Sequence, residues 1–175
     1  MFRVDVDNLQ DYLDFDLNRK SDLLKLDIFI RRSAPGLKRY FHRGTPAREP
    51  GMRFRMIGYG KLQYVARNGQ RVDWPAVGVA LQKNYISVYL AVMKGGASLI
   101  QLYSGKLGQT RTGRNHFSFR AYEDLEVRLL ASLFAEVEQI FKSDLRHCNL
   151  AHGGTKAAET FSVNVSARSH MKRIS

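Results

Sequence analysis

The dipeptide Asn68-Gly69 sits between two stretches in which apolar and polar side chains alternate. Both positions tolerate the positive φ of a tight hairpin turn, so two strands are expected to run antiparallel away from it. Lys61-Leu62-Gln63-Tyr64-Val65-Ala66 leads in, and the return strand passes Val72 and Trp74 towards Val77, Val79 and Leu81. Pro75 lacks an N–H and needs a sheet edge or a bulge in that strand. Upstream, Met52-Arg53-Phe54-Arg55-Met56-Ile57 also alternates, which places Phe54 on the core side and the arginines outside, until Gly58-Tyr59-Gly60 interrupts the run. Tyr85-Ile86-Ser87-Val88-Tyr89-Leu90-Ala91-Val92 is apolar or aromatic at nearly every position, which suits a central strand.

Helical spacing brackets these strands. Asn8 can cap a short helix through Leu9 and Leu13. Asn18 or Ser21 can cap a second, in which Asp22 favours the positive end and Leu23, Leu26, Phe29 and Ile30 recur on one face until Pro35-Gly36. After Gly95-Gly96 a short helix is expected across Leu99, Leu102 and Tyr103, and then a strand around His116-Phe117-Ser118-Phe119. The last element starts at the acidic pair Glu123 and Asp124. It carries Leu130, Leu133, Phe134, Val137, Ile140 and Phe141 as one stripe over about five turns of roughly 3.6 residues. The expected fold is α+β: an antiparallel sheet of about five strands covered by two N-terminal helices, one short internal helix and one C-terminal helix. Residues 1–147 form a single domain in this reading, and 148–175 a flexible basic tail.

Of the 175 residues, 44% are hydrophobic and 25% charged, which excludes a wholly disordered chain and allows a core without disulfide or metal support. Cys148 is the sole cysteine, so no intrachain disulfide forms, and a reducing cytoplasm is the expected compartment. The acidic start Asp5, Asp7 does not resemble a secretory signal, and no apolar run reaches the length of a membrane span.

Charge is distributed unevenly. The net charge is −3 over residues 1–30, +9 over 31–75, +6 over 76–121 and zero beyond, for +12 in all. No acidic side chain lies between Asp73 and Glu123, so Lys83, Lys94, Lys106, Arg111, Arg114 and Arg120 have no local partner. Such a field attracts anions, although a solubilising surface has the same composition. Gly108-x-x-x-x-Gly113-Arg114-Asn115 has the glycine spacing of a phosphate-binding loop. It lacks the lysine and the magnesium-binding hydroxyl, and it runs from helix to strand, so nucleotide hydrolysis is not expected. A weaker anion site built from its amides with Lys106, Arg111 and Arg114 stands against an ordinary connecting turn. The five histidines form no HxxxH or HxH pair, and His147-Cys148 would need two more ligands for zinc. Asp7, Asp11 and Asp14 would share a face of one helix and are weak candidates for a hard cation; capping and a solvated face explain them as well. No G-x-S-x-G elbow supports nucleophilic catalysis. Arg53, Phe54, Arg55, Tyr59, Lys61 and Tyr64 interleave cations with rings, an arrangement able to bind nucleic acid, though alternation sends Phe54 inward.

Four stretches resemble the YdhG-like domain of unknown function: Met56-Ile57-Gly58-Tyr59-Gly60 with Tyr64; Arg71-Val72-Asp73-Trp74-Pro75 with Gly78-Val79-Ala80; Lys83-Asn84-Tyr85-Ile86-Ser87-Val88-Tyr89; and Gly105-Lys106-Leu107-Gly108 through Gly113 to Phe119. Where that family usually continues with Lys-Ser-Cys, this chain has Arg114-Asn115-His116. The resemblance implies an α+β sandwich akin to frataxin-like domains, with no established enzymatic activity. In one branch it implies a link to iron delivery through acids that map loosely onto Asp7, Asp11 and Asp14. The leading expectation is a non-catalytic binding domain that holds an anionic small molecule or partner on a surface formed by Tyr59, Trp74, Lys83, Lys106, Arg111 and Arg114. A frataxin-like iron chaperone and a non-specific nucleic-acid binder are the alternatives. Trp74 has a competing role in simple core packing.

Overall fold

The computed structural model describes residues 2–66 and 68–150. Among them are four helices, α1 (Leu9–Asp14), α2 (Lys20–Ser33), α3 (Leu99–Leu102) and α4 (Val127–Leu150). Six strands make the main sheet: β1 (Arg39–His42), β2 (Met56–Val65), β3 (Arg71–Leu81), β4 (Ile86–Leu90), β7 (Arg111–Thr112) and β8 (His116–Phe119). All neighbours pair antiparallel, in the order β1-β2-β3-β4-β8-β7. A separate two-stranded hairpin joins β5 (Met93–Lys94) to β6 (Ala97–Ser98). The α+β class with a helix-covered antiparallel sheet is as expected, with one strand more. None of the helices is long and apolar enough to cross a membrane, among the described residues.

The alternation in each strand divides the sheet into two unlike faces. Ile57 and Tyr59 of β2, Val77 and Val79 of β3, Val88 of β4 and Phe117 of β8 join the main core, together with Leu23, Leu26 and Ile30 of α2 and Leu130, Leu133, Phe134 and Val137 of α4. Full burial of such a side chain contributes roughly 1.5–3 kcal/mol, so the α4 stripe alone anchors the helix. Phe29 meets Phe134 edge-on across the α2–α4 contact. The opposite face carries a smaller cluster of Met52, Met56 and Ala80, against which Trp74 and Tyr89 pack.

Local chemistry explains the boundaries. Asn8 caps α1 as expected, its Oδ1 accepting from the Asp11 amide at 2.9 Å. Neither Asn18 nor Ser21 caps α2; Arg19 holds that position, and its guanidinium is occupied by Asp16 and by the carbonyls of Gln82 and Tyr85. Glu123 and Asp124 stand in a 3₁₀ turn rather than in α4, which begins at Val127 and continues to Leu150, past the boundary expected at 147. The rest of the expected tail, 151–175, lies outside the described residues.

Two strand assignments change. The expected break at Gly58-Tyr59-Gly60 does not end the strand: β2 runs on in the same register with β3 on either side, but Gly60 itself skips the pairing, its amide donating to the Lys38 carbonyl at 3.0 Å, and it takes φ +66° where a Cβ would stand 2.8 Å from Leu37 Cδ2. Residues 52–55 form no strand; the Thr45 amide donates to the Met52 carbonyl at 2.9 Å, and this segment folds over the second face instead. Phe54 is therefore 43% exposed rather than in the core. The Asn68-Gly69 turn is present, with Gly69 at φ +80° and the Asn68 side chain accepting from the Gln70 amide. Pro75 falls where β3 pairs with β2 alone, because β4 reaches only to the partner of Val77.

Candidate functional site

The overhang of β3 past β4 creates a cleft. The chain leaves β4 at Ala91, whose amide donates to the Ala76 carbonyl at 3.0 Å, and then turns away into the β5–β6 hairpin. Gly95 and Gly96 make that turn at φ +58° and +82°, backbone that other residues adopt at a cost. Between the hairpin, α3, the β7–β8 turn and the exposed edge of β3 lies an open cleft of about 870 Å³. Trp74 forms one wall, Leu90, Ala91, Met93 and Ala97 supply apolar surface, and Ser98, Gln101 and residues 112–115 bring polar groups.

Several contacts hold these walls. The Gln101 side-chain amide donates to the carbonyls of Gly113 at 2.6 Å and Arg114 at 3.3 Å, which ties α3 to the β7–β8 turn. The Leu90 amide donates to the Asn115 carbonyl at 2.9 Å. On the outer side, Glu136 of α4 accepts from Lys94 and, at 2.8 Å, from the Tyr103 hydroxyl, so hairpin and α3 share one anchor. Burial opposes the Glu136 charge, but these two bonds outweigh it and keep its carboxyl below the usual range. Burial and the same carboxylate push the Tyr103 phenol up to about 12, so it remains a donor at neutral pH. Among the described residues, Arg114 is the only ionisable side chain in the lining, and the buried Ser98 hydroxyl has no hydrogen-bond partner.

Trp74 and Arg114 are thus brought together, and the other four expected ligand residues are not. Tyr59 is fully buried on the helical side of the sheet, where its hydroxyl donates to Asp27 at 2.8 Å, so it cannot touch a ligand at the surface. Lys83 lies in the β3–β4 turn, at the opposite end of β4 from the cleft. Lys106 and Arg111 are exposed outside the lining. The cations of the central segment do not all lack partners either, since Lys94 finds Glu136 on α4.

The glycine-spaced loop is not a phosphate cradle. Its amides are spent within the fold: Gln109 donates to the Asp124 carbonyl at 2.7 Å, Thr110 to Gly108 at 2.8 Å and Gly113 to His116 at 2.8 Å. The glycines answer packing needs. A Cβ on Gly108 would lie 2.1 Å from the Asp124 carbonyl oxygen, and one on Gly113 would enter the His116 ring.

The acidic cation candidates are dispersed. Only Asp11 and Asp14 lie in α1. Asp7 precedes it and pairs with Arg55 at 3.3 Å, Asp11 accepts from the Asn8 side chain, and Asp14 binds Gln10 and Lys20, each at 2.7 Å. Among the described residues, no three His, Cys, Asp or Glu side chains are grouped to hold a metal ion.

Two features go unread in the sequence. One is the cleft wall formed by Ser98 and Gln101, for which the Gly95-Gly96 turn was the available signal. The other is the buried carboxylate of Asp27, 2% exposed, held by Tyr59, by Arg39 at 2.6 Å and by Arg31 at 3.2 Å. No family model, curated protein or solved structure matches the chain.

Proposed function

We propose that the protein is a binding domain whose cleft takes a flat, anionic small molecule, the indole of Trp74 covering its ring and the Arg114 guanidinium pairing with its acidic group. The single observation that carries this reading is the position of the cleft, which puts the one tryptophan of the chain and a cation with no acidic neighbour in the lining around one opening. Aromatic walls with a few convergent polar groups are the usual composition of small-molecule sites, and a guanidinium is suited to planar two-point recognition of carboxylate or phosphate. Gln101, whose amide nitrogen is held by the Gly113 and Arg114 carbonyls, would add orientation through its side-chain oxygen. A reducing cytoplasm and kinship with the YdhG-like domains belong to the same proposal and rest on the sequence alone.

Because Trp74 is unique, its fluorescence reports the cleft directly. Titration with mononucleotides and aromatic carboxylates should give saturable quenching and a rise in melting temperature. A charge-assisted hydrogen bond contributes about 1.5–3 kcal/mol, so Arg114→Ala should weaken binding roughly tenfold or more, while Arg111→Ala, outside the lining, should not. Absence of saturable quenching and of any thermal shift across the panel would remove the reading.

A further inference from the structure

The second face of the sheet presents a row of rings beside the cleft. Register aligns Tyr40, Gly58, Gly78, Tyr89 and His116 across five strands on the side away from the main core. The two glycines are occupied from above. A Cβ on Gly58 would lie 2.6 Å from the Tyr40 ring, and one on Gly78 would lie 2.5 Å from Met56 Sδ. At the far end of the row, Tyr89 and His116 have centroids 5.3 Å apart. Phe54 stacks beside Tyr89 at 6.3 Å with 22° between the planes. The fold thereby presents Phe54, which alternation had assigned to the core, as an exposed ring in an aromatic line.

The charge around this line is positive. Arg53 adjoins Phe54 and is exposed, Arg111 stands opposite Ser118 one row from His116, and Arg114 lies two residues before His116. Among the described residues, none of the three forms an ion pair, in contrast to Arg55, which is taken by Asp5 and Asp7. Exposed rings can stack with bases only when those bases are unstacked from a partner strand, since a duplex hides its base faces.

We propose that this face binds single-stranded nucleic acid, with two or three bases stacked along Phe54, Tyr89 and His116 and the backbone phosphates held by Arg53, Arg111 and Arg114. The site extends beyond the small-molecule reading of the cleft, because Phe54 and Tyr89 do not line it and only Arg114 is shared.

Anisotropy of a fluorescein-labelled oligothymidylate, mixed with the full chain at a series of salt concentrations, tests the proposal. Three phosphate contacts on a single strand predict a log–log salt slope of about −2. The same oligonucleotide annealed to its complement should bind at least tenfold more weakly. Phe54→Ala should cost roughly tenfold in affinity, as loss of one base–ring stack does, and Phe54→Tyr should restore it. Phe54→Ala should leave small-anion quenching of Trp74 intact, so the two readings fail separately. No binding, equal affinity for single strand and duplex, or indifference to Phe54→Ala at an unchanged melting temperature would each overturn the aromatic site. If Phe54→Ala unfolds the chain, Phe54→Leu, which keeps the apolar contact and removes the stacking surface, gives the same discrimination.

Discussion

Tyr59→Phe separates a buried structural role from a ligand-binding one. The ring is wholly enclosed, and its hydroxyl donates to Asp27 Oδ1 at 2.8 Å. Burial first, and then the charge and hydrogen bond of Asp27, hold the Tyr59 phenol well above its ordinary value, so it is a proton donor throughout the neutral pH range. The substitution keeps the apolar ring and deletes one hydrogen bond to an ion, a loss of about 1.5–3 kcal/mol. Arg39 at 2.6 Å and Arg31 at 3.2 Å remain on the carboxylate, so the charge is not orphaned, and the lower part of that range applies, about 2 kcal/mol. At about 2–4 °C per kcal/mol for a chain of this size, the melting temperature should fall by about 4–8 °C. Urea denaturation should show a lower midpoint at an unchanged m-value, because the exposed area on unfolding is the same. Asp27→Ala, which strips the partner from the hydroxyl and both guanidinium groups, should cost more, about 3–5 kcal/mol. An unchanged midpoint for Tyr59→Phe, or a loss of ligand affinity without a loss of stability, would refute the placement of this hydroxyl in the core.

Two further outcomes follow from local geometry. His42 is buried and its ring N–H donates to the Met52 carbonyl at 3.1 Å; burial is the chief cause that lowers its pKa from the ordinary 6.5. The unfolded ring takes up its proton first as pH falls, so stability should be whole above about 6.5 and decline as pH drops through the lower folded value, a slope that His42→Gln should flatten in denaturant titrations across that window. Gly108→Ala should destabilise by several times the usual surface substitution, about 2 kcal/mol or more, because φ +90° and the Asp124 backbone oxygen 2.1 Å from the new Cβ leave no room; thermal unfolding of the variant checks this, and a near-native midpoint would refute it.

What the sequence carried was the information that repeats along it. The α2 and α4 stripes, the Asn68-Gly69 turn and the apolar run of β4 all follow from periodicity, and all are present. Register was harder. Met52 to Ile57 alternates correctly, but strand pairing begins only at Met56, since the chain before it is bent by Gly51 at φ +134° and bound back to Thr45. That single shift moved Phe54 from the core to the surface. Short elements fixed by tertiary contact, such as β1 and β7, leave no periodic trace because two to four residues are too few. At the cleft, Trp74 was legible as a ring and Arg114 as a cation in a stretch that holds no acidic residue. Tyr59 was misread because nothing in its neighbourhood announces Asp27, which lies one helix earlier.

The uneven charge acquires a physical cause once the ion pairs are placed. Asp5 and Asp7 take Arg55, Asp14 takes Lys20, Asp16 takes Arg19, Asp27 takes Arg31 and Arg39, Asp73 takes Lys61, and Glu123, Glu136 and Glu138 take Lys25, Lys94 and Lys142. Four of these pairs, Asp14–Lys20, Glu123–Lys25, Asp27–Arg39 and Glu136–Lys94, tie a helix to another element, and the others close within one helix, between neighbouring strands or on the N-terminal segment. Exposed pairs of this kind contribute little to stability, a median near 0–1 kcal/mol, but each one cancels a negative charge locally. The cations left over include Arg32, Lys38, Arg43, Arg48, Arg71, Lys83, Lys106, Arg120 and Arg128 as well, all exposed, so what distinguishes Arg53, Arg111 and Arg114 is their place beside the ring-bearing face and the cleft, where an attracted anion would also meet aromatic surface.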